Sequence, residues 1–243
     1  MTSVVVFASA LATALATGLG AVPFAFARER VGGWLGPANA IASGVMLGAS
    51  AGLLIEGGGR SVVRTLAGVA AGAAFVALAF RVVGDDETRK IGSLRGVDAR
   101  KAILIVVVMT VHSTAEGVGV GSAFGGGEGF GLLIAAAIAL HNVPEGLAIS
   151  LVLVPRGTRV RTAAWWSVFS SLPQPLMAVP AFLFVEAARG ALPLGLGFAA
   201  GAMIWMVCFE LVPDALSQSS RRSVLGITAL SFAAMLAIQT LVL

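Results

Sequence analysis

Charged residues are scarce in this chain of 243 residues. Only 12% are Asp, Glu, Lys or Arg, against about a quarter in a soluble domain, and 58% are hydrophobic. This composition excludes an ordinary soluble protein and predicts an integral membrane protein. The excess of Lys and Arg lies in short segments between apolar runs. We therefore interpret it as orienting the chain in a membrane, and we expect no nucleic-acid partner.

Cysteine occurs once, at Cys208, which excludes an intrachain disulfide framework and a cysteine-rich metal cluster. The GxxxxGK[ST] motif of nucleotide-binding loops and the HExxH motif of metalloproteases are both absent from the sequence. No Lys or Arg precedes Arg28. The apolar N-terminal segment thus lacks the positive start of a cleavable signal peptide, and we expect it to be retained as a first helix.

Long apolar runs predict membrane-spanning α-helices, each of which needs about 20 residues. We expect an all-α integral membrane protein, with residues 1–243 forming one domain of eight spans. The polar segment 84–100 is expected to be a cytoplasmic loop. The predicted spans are residues 3–27, 34–55, 61–83, 101–123, 130–154, 163–186, 192–214 and 223–243.

Basic residues are distributed unevenly between the connections of these spans. The connections after predicted spans 1, 3, 5 and 7 hold 13 of the 16 Lys and Arg residues. Cytoplasmic loops collect positive residues. We therefore expect these connections inside, and both chain termini outside.

Both histidines of the chain occur in one pattern. HSTAEG begins at His112 in predicted span 4, and HNVPEG begins at His141 in predicted span 5. Glu116 and Glu145 follow four residues later, so imidazole and carboxylate share a helix face. At 1.5 Å per residue, each histidine lies about 16–17 Å from the start of its span, near the middle of the bilayer.

Carboxylates at this depth need a partner, because a charge at the bilayer centre costs roughly 2.5–3.5 kcal/mol. No Lys or Arg lies at mid-depth in any predicted span. A divalent cation would neutralise the two glutamates, and imidazole with carboxylate is a donor set for transition metals. The alternative is that each histidine hydrogen-bonds its own glutamate or a neighbouring helix. The repetition of spacing and depth favours the metal site.

Prolines interrupt the apolar helices near the same depth. Pro144 lies inside the second motif, and Pro173 and Pro175 flank Gln174 in predicted span 6. Each removes a backbone N–H, and we expect each to kink its helix. Irregular backbone at membrane depth is tolerated where it lines a cavity or is buried in protein.

Three further residues are weaker candidates. Met46 lies about 12 residues into predicted span 2, and its thioether could bind a soft metal, although methionine usually only packs. Glu56 and Glu210 lie near the outer and cytoplasmic ends of their predicted spans. Either could line a vestibule or be an ordinary interfacial charge.

The two motifs and the eight predicted spans resemble the ZIP (Zrt/Irt-like) family of divalent metal transporters, in its prokaryotic form. The resemblance covers essentially the whole chain. It implies import of zinc, iron, manganese or cadmium into the cytoplasm across the cell membrane. It also implies a 3+2+3 inverted-repeat fold, often homodimeric, in which helices 1, 4, 5 and 6 move as an elevator.

The resemblance assigns roles position by position. Glu210 resembles an acidic residue on the release side of the family. Gln174 and Ser113 replace a glutamate and an asparagine of members that hold two ions, so we expect one tightly bound ion. The residues matching metal-site positions are His112, Glu116, His141, Glu145 and Met46, and those matching second-ion positions are Ser113, Asn142 and Gln174.

These observations predict alternating-access transport rather than an enzyme. The ion would enter past Glu56 and leave past Glu210, with membrane lipid around the protein and no catalytic cofactor. Because imidazole must be neutral to bind a metal, uptake should fall as the pH drops toward about 6.5. The donors favour Zn²⁺ or Fe²⁺ over Mg²⁺ and Ca²⁺. Alternatives are a metal-binding but transport-inactive or sensing relative, a proton relay, and an intramembrane metal-dependent hydrolase.

Overall fold

A computed structural model of the chain describes residues 2–26, 31–84 and 97–242. Most of the predicted loop 84–100 lies outside the described residues, as do Arg28 and Arg30 of the first predicted connection. The described part of the chain is almost entirely helical and contains no strand. This confirms the predicted all-helical class.

Within the described ranges, short connections join one helix to the next. Turns of 3₁₀ helix lie at Gly18–Ala21, Val31–Trp34 and Arg189–Ala191, a short helix lies at Pro23–Phe26, and a π-helical turn lies at Val207–Leu211. The longer helices are α1 (Ser3–Thr17), α2 (Leu35–Gly84), α3 (Val97–Gly126), α4 (Glu128–Leu153), α5 (Val160–Ser171), α6 (Pro173–Ala187), α7 (Leu192–Met206), α8 (Val212–Gln218) and α9 (Arg221–Val242).

Several helical stretches of the described chain are long and apolar enough to cross a membrane. There are six, and α3 is not among them: Ser3–Phe26, Leu35–Arg81, Glu128–Leu153, Val160–Ala187, Arg189–Gln218 and Arg221–Leu241. They support the predicted class of a helical membrane protein. The count of eight spans and the outward position of both termini stay predictions.

Helix α2 corresponds to two predicted spans, and the polar connection expected between them is itself helical up to Arg60. Only Ser61 leaves the helical conformation, with φ −165° and ψ 103°. The chain folds back there, as the contact between residues on either side shows. A Cβ atom at Gly57 would lie only 2.8 Å from Thr65 Oγ1. Residues eight apart in a straight helix are separated by about 12 Å along its axis. The ion pair of Arg60 with Glu56, at 2.6 Å, supports the last turn before the fold.

Glycines allow other helices of the bundle to touch backbone to backbone. A Cβ atom at Gly72 would lie 1.9 Å from the Phe198 carbonyl oxygen, and one at Gly201 would lie 2.1 Å from that of Val69. The second half of α2 therefore packs directly on α7. The largest apolar core cluster includes Ile134 from α4 and side chains of α1, α2, α3, α6 and α7. The motif residues thus lie inside a closely packed bundle.

Candidate metal centre

Helices α3 and α4 bring the two histidine–glutamate motifs to one point. His112, Glu116, His141 and Glu145 each offer a ligand atom, and these four atoms all lie within 4.8 Å of one another. The four side chains are at most 5% exposed. The two imidazole rings stack, with centroids 5.2 Å apart and planes inclined by 15°. Two imidazoles and two carboxylates therefore face a common centre that is closed to solvent.

Glu116 is the best-connected member of this group. Its Oε1 lies 3.1 Å from His112 Nε2 and 3.0 Å from His141 Nδ1, the latter outside hydrogen-bond alignment. Its Oε2 accepts a hydrogen bond of 2.5 Å from Gln174 Nε2. The first motif thus contains the histidine–glutamate hydrogen bond that the non-metal alternative predicts.

Glu145 is different, although it holds the equivalent position in the second motif. Both of its carboxylate oxygens are buried and accept no hydrogen bond from the described residues. His141, one turn before it, faces Glu116 instead. A buried carboxylate without a partner carries a penalty of several kcal/mol. His141 thus turns to a neighbouring helix, as the second form of the non-metal alternative predicts, and only the form in which it bonds its own glutamate is not met in this motif.

The glycine that ends each motif has a packing role, which reasoning from the sequence missed. A Cβ atom at Gly146 would lie 1.7 Å from the Thr17 carbonyl oxygen, and one at Gly117 would lie 2.5 Å from that of Gln174. Gly146 therefore lets α1 approach α4, and Gly117 lets α6 approach α3. Each motif combines two potential ligands with the gap that admits a neighbouring helix beside them.

Polar side chains from three helices meet beside Glu116. Asn142 Nδ2 donates to the Thr13 carbonyl oxygen (2.8 Å) and to Gln174 Oε1 (3.1 Å). The Thr13 hydroxyl donates to Gln174 Oε1 at 2.5 Å. Sequence reasoning found Asn142 and Gln174 but missed Thr13. The available signal was the pair of threonines four residues apart, Thr13 and Thr17, in an apolar helix.

Ser113 and Met46 are buried, as expected of residues near the site. Ser113 is fully buried, and its hydroxyl has no hydrogen-bond partner among the described residues. Met46 is 2% exposed and belongs to the largest apolar cluster of the core. The ligand roles of both residues stay predictions.

The prolines affect their helices in different ways. Pro144 lies inside α4, which continues on both sides of it. Pro173 is the first residue of α6 and follows the turn at Leu172 that separates α5 from α6. The missing N–H of a proline costs nothing in the first turn of a helix, where Pro175 also lies. The interruption predicted in span 6 is thus a break between two helices.

The two candidate vestibule residues occupy different surroundings. Glu56 is half-buried and paired with Arg60. Glu210 lies on the π-helical turn Val207–Leu211, and its Oε2 is buried without a hydrogen-bond partner among the described residues. It lies within electrostatic range of His112 and Glu145. Glu210 therefore has a buried oxygen without a partner in this part of the structure, whereas Glu56 is neutralised by a neighbour.

Comparison with known proteins agrees with this geometry. Residues 82–238 match the family described as ZIP zinc transporter. A putative zinc transporter of Arabidopsis thaliana is 48% identical over 236 residues, which cover 95% of this chain and 38% of the plant protein. The zinc transporter GufA of Myxococcus xanthus is 28% identical over 219 residues, which cover 85% of this chain and 86% of that protein.

A shorter match extends to animals. The zinc transporter ZIP11 of Homo sapiens is 31% identical over 133 residues, which cover 49% of this chain and 37% of the human protein. This chain thus spans under half the length of the plant and human relatives, and most of the length of the bacterial one. The family match includes both motifs and extends over well more than half of the chain. The chain belongs to the ZIP zinc transporter family.

Proposed function

We propose that the protein carries a divalent transition-metal ion, Zn²⁺ in the first place, across a membrane toward the cytoplasm. The observation that carries this proposal is the unpartnered Glu145 carboxylate, buried within 4.8 Å of three other donor groups. An ion bound by His112, Glu116, His141 and Glu145 would remove the penalty of that buried charge. The names of the relatives, zinc transporters, support the choice of zinc.

The charges of the centre match one ion. Two glutamates supply two negative charges, neutral histidines supply none, and a single divalent cation balances them. Mixed nitrogen and oxygen donors suit Zn²⁺ and Fe²⁺, whereas Mg²⁺ and Ca²⁺ prefer oxygen alone. The Gln174 amide, which donates to Glu116, contributes no charge for a second ion. We therefore propose one tight site, with Met46 as a possible additional ligand.

Transport requires that the centre open to one side at a time. In our proposal the ion enters past Glu56 and leaves past Glu210, one of whose oxygens is buried without a hydrogen-bond partner among the described residues. Eight spans with both termini outside and residues 84–100 in the cytoplasm would give the 3+2+3 arrangement of the family. Helices α1, α3, α4, α5 and α6 would move as an elevator against α2, α7 and α9, within a homodimer in the cell membrane.

Uptake of radioactive zinc into proteoliposomes tests the proposal. Wild-type protein should take up zinc, and Glu145→Ala and His141→Ala should reduce the uptake to background. Glu128→Ala is the matched control, because Glu128 is an exposed glutamate at the start of the same helix. A Glu145→Ala variant that transports like the wild type would remove Glu145 from the site.

A second candidate function is metal binding without transport. The hydrogen bond from Gln174 to Glu116 favours it, because one carboxylate of the centre is already engaged by the protein. Binding and uptake separate the two functions. A protein that binds one Cd²⁺ ion but moves no zinc into proteoliposomes would be a sensing or inactive relative. Two comparably tight ions at this centre would contradict our single-ion site.

A further inference from the structure

Thr13 lies on α1, which contributes none of the four candidate ligands, yet it reaches the centre through a chain of hydrogen bonds. Its hydroxyl donates to Gln174 Oε1 at 2.5 Å, and Gln174 Nε2 donates to Glu116 Oε2 at 2.5 Å. Thr13 is 1% exposed, and Gln174 and Glu116 are fully buried. Solvent therefore does not compete with either of these two hydrogen bonds.

The orientation of the Gln174 amide follows from its partners. Oε1 faces two donors, the Thr13 hydroxyl and the Asn142 amide nitrogen. A flipped amide would set its oxygen against the Glu116 carboxylate and its nitrogen against the Asn142 nitrogen. Both contacts would be repulsive, because each would join groups of the same hydrogen-bonding kind. Gln174 must therefore present its N–H to Glu116.

Thr13 takes part in this arrangement with two different groups. Its hydroxyl donates to Gln174 and also lies 2.7 Å from the Ala10 carbonyl oxygen, so one proton is shared between two acceptors. Its own carbonyl oxygen accepts from Asn142, which uses its second N–H on Gln174. Thr13, Asn142 and Gln174 thus form a closed triangle that joins α1, α4 and α6. Glu116 is the only group outside the triangle to which the Gln174 amide is bonded in the described part of the chain.

We propose that Thr13 is a positioning residue for the metal centre. Its hydroxyl fixes the Gln174 amide, and the amide holds Oε2 of Glu116 so that Oε1 faces the two histidines. This role rests on the proposed metal-binding function, and it adds a residue from a helix that supplies no ligand. It also explains how a neutral glutamine serves the centre, because its N–H stabilises the ionised form of Glu116 without binding an ion.

Cd²⁺ binding to the purified full-length protein tests this role with three variants. Thr13→Val keeps the shape of the side chain and removes the hydroxyl, and we expect the Cd²⁺ affinity to fall about two- to tenfold, the usual value of one hydrogen bond. Thr13→Ser restores the hydroxyl and should restore the affinity. Thr17→Val is the matched control. Thr17 lies one turn later on α1, is fully buried, and bonds Ser171 at 2.8 Å rather than Gln174.

A spectroscopic measurement separates positioning from general stability. With Co²⁺ as the bound metal, Thr13→Val should change the visible ligand-field spectrum, and Thr17→Val should leave it unchanged even if both variants unfold at lower temperature. In the metal-free protein, the side-chain amide NMR signals of Gln174 should shift in Thr13→Val only. These signals depend on the hydrogen bond and not on transport.

Two results would overturn the proposal. One is a Thr13→Val variant with wild-type Cd²⁺ affinity and unchanged Gln174 amide signals. The other is a Thr17→Val variant that loses as much affinity as Thr13→Val, since that loss would come from the packing of α1 alone. A wild-type protein that binds no Cd²⁺ would instead refute the proposed function. The Gln174 amide signals would then still decide whether Thr13 fixes that side chain.

Discussion

The contact between α3 and α4 and the contact between α2 and α7 are built from different kinds of residue. At the first, histidines and glutamates face each other, and the Glu145 carboxylate has no hydrogen-bond partner in the described structure. At the second, Gly72 and Gly201 bring backbones together so closely that a Cβ atom at either would lie about 2 Å from a carbonyl oxygen. The glycine contact is complete as it stands, whereas the polar contact contains a buried carboxyl group that no described residue satisfies.

This difference separates residues that hold the bundle together from residues that act. A substitution at the glycine contact should reduce stability and leave the chemistry of the centre intact. Removal of the unpartnered Glu145 carboxylate at the polar contact should do the opposite, because a buried unpaired charge destabilises the fold that contains it. Measuring stability and metal binding on the same variants tests this separation.

Glu145→Gln should have the largest effect, and on binding only. Loss of even an outer partner of a metal ligand costs ten- to a hundredfold in affinity, so loss of the ligand charge should lower the Cd²⁺ affinity by about a hundredfold or more. The metal-free variant should unfold at the same temperature as the wild type or at a higher one, because an unpaired buried charge has been removed. Titration calorimetry and thermal unfolding in detergent with a chelator measure the two quantities.

The control for this variant is Glu128→Gln, which neutralises an exposed carboxylate on the same helix. It should change neither quantity. A metal-free Glu145→Gln protein that unfolds well below the wild type would show that Glu145 has a partner that stabilises the fold. Glu145 would then contribute to stability, and the proposed difference between the polar contact and the glycine contact would not hold.

Gly201→Ala should have the next largest effect, and on stability. The new Cβ atom would lie 2.1 Å from the Val69 carbonyl oxygen, so α2 and α7 must separate. Overpacking of this kind typically costs about 1–3 kcal/mol of unfolding free energy. Gly226→Ala is the control, since a Cβ atom there meets nothing within 4 Å and alanine favours a helix over glycine by about 1 kcal/mol. In Gly201→Ala the Cd²⁺ affinity per folded molecule should stay at the wild-type value. A loss of affinity would show that the glycine contact and the polar contact are energetically coupled.

The helices could be predicted from the sequence because long apolar runs show where the chain needs internal hydrogen bonds. Their interruptions could not. The fold at Ser61 follows a helix that includes Gly57 and Arg60, residues that the polar composition assigns to a loop. The π-helical turn at Val207–Leu211 precedes Pro213, which cannot donate to the carbonyl of residue 209 and crowds it. One wider turn relieves that conflict, and no local pattern fixes where it occurs.

The candidate site could be predicted as far as its two motifs, because spacing on a helix determines which side chains share a face. The choice of partners could not be predicted. His141 faces Glu116 across the helix interface rather than Glu145 on its own helix, and Thr13 reaches Gln174 over 161 positions of sequence. Such pairings depend on how α1, α3, α4 and α6 pack, and hence on Gly117 and Gly146, whose function is visible only in three dimensions.

Gln174→Glu should have an effect on the stability of the metal-free protein and on the number of bound ions. It replaces an N–H donor by a second carboxylate oxygen beside Glu116 Oε2, so a hydrogen bond becomes a repulsion. We expect the metal-free protein to lose about 1.5–3 kcal/mol of stability, in line with the value of a hydrogen bond to a charged group. With excess Cd²⁺ the number of bound ions should rise from one to two. A variant that still binds one ion would show that charge alone does not exclude the second.

Glu56→Gln should have the smallest effect of all. Glu56 already pairs with Arg60, four residues later at a partly exposed position, and such helix pairs contribute about 0.3–0.5 kcal/mol. Stability should therefore change by under about 0.5 kcal/mol, and Cd²⁺ affinity at the centre should not change.

If Glu56 attracts ions to the entrance, the KM for zinc uptake should rise about two- to threefold at low salt, and the difference should vanish at high salt because exposed charges are screened. A KM equal to the wild type at every salt concentration would leave Glu56 with its structural role beside Arg60. A change in affinity at the centre would instead mean that the conformation of the chain near Ser61 is coupled to the metal centre.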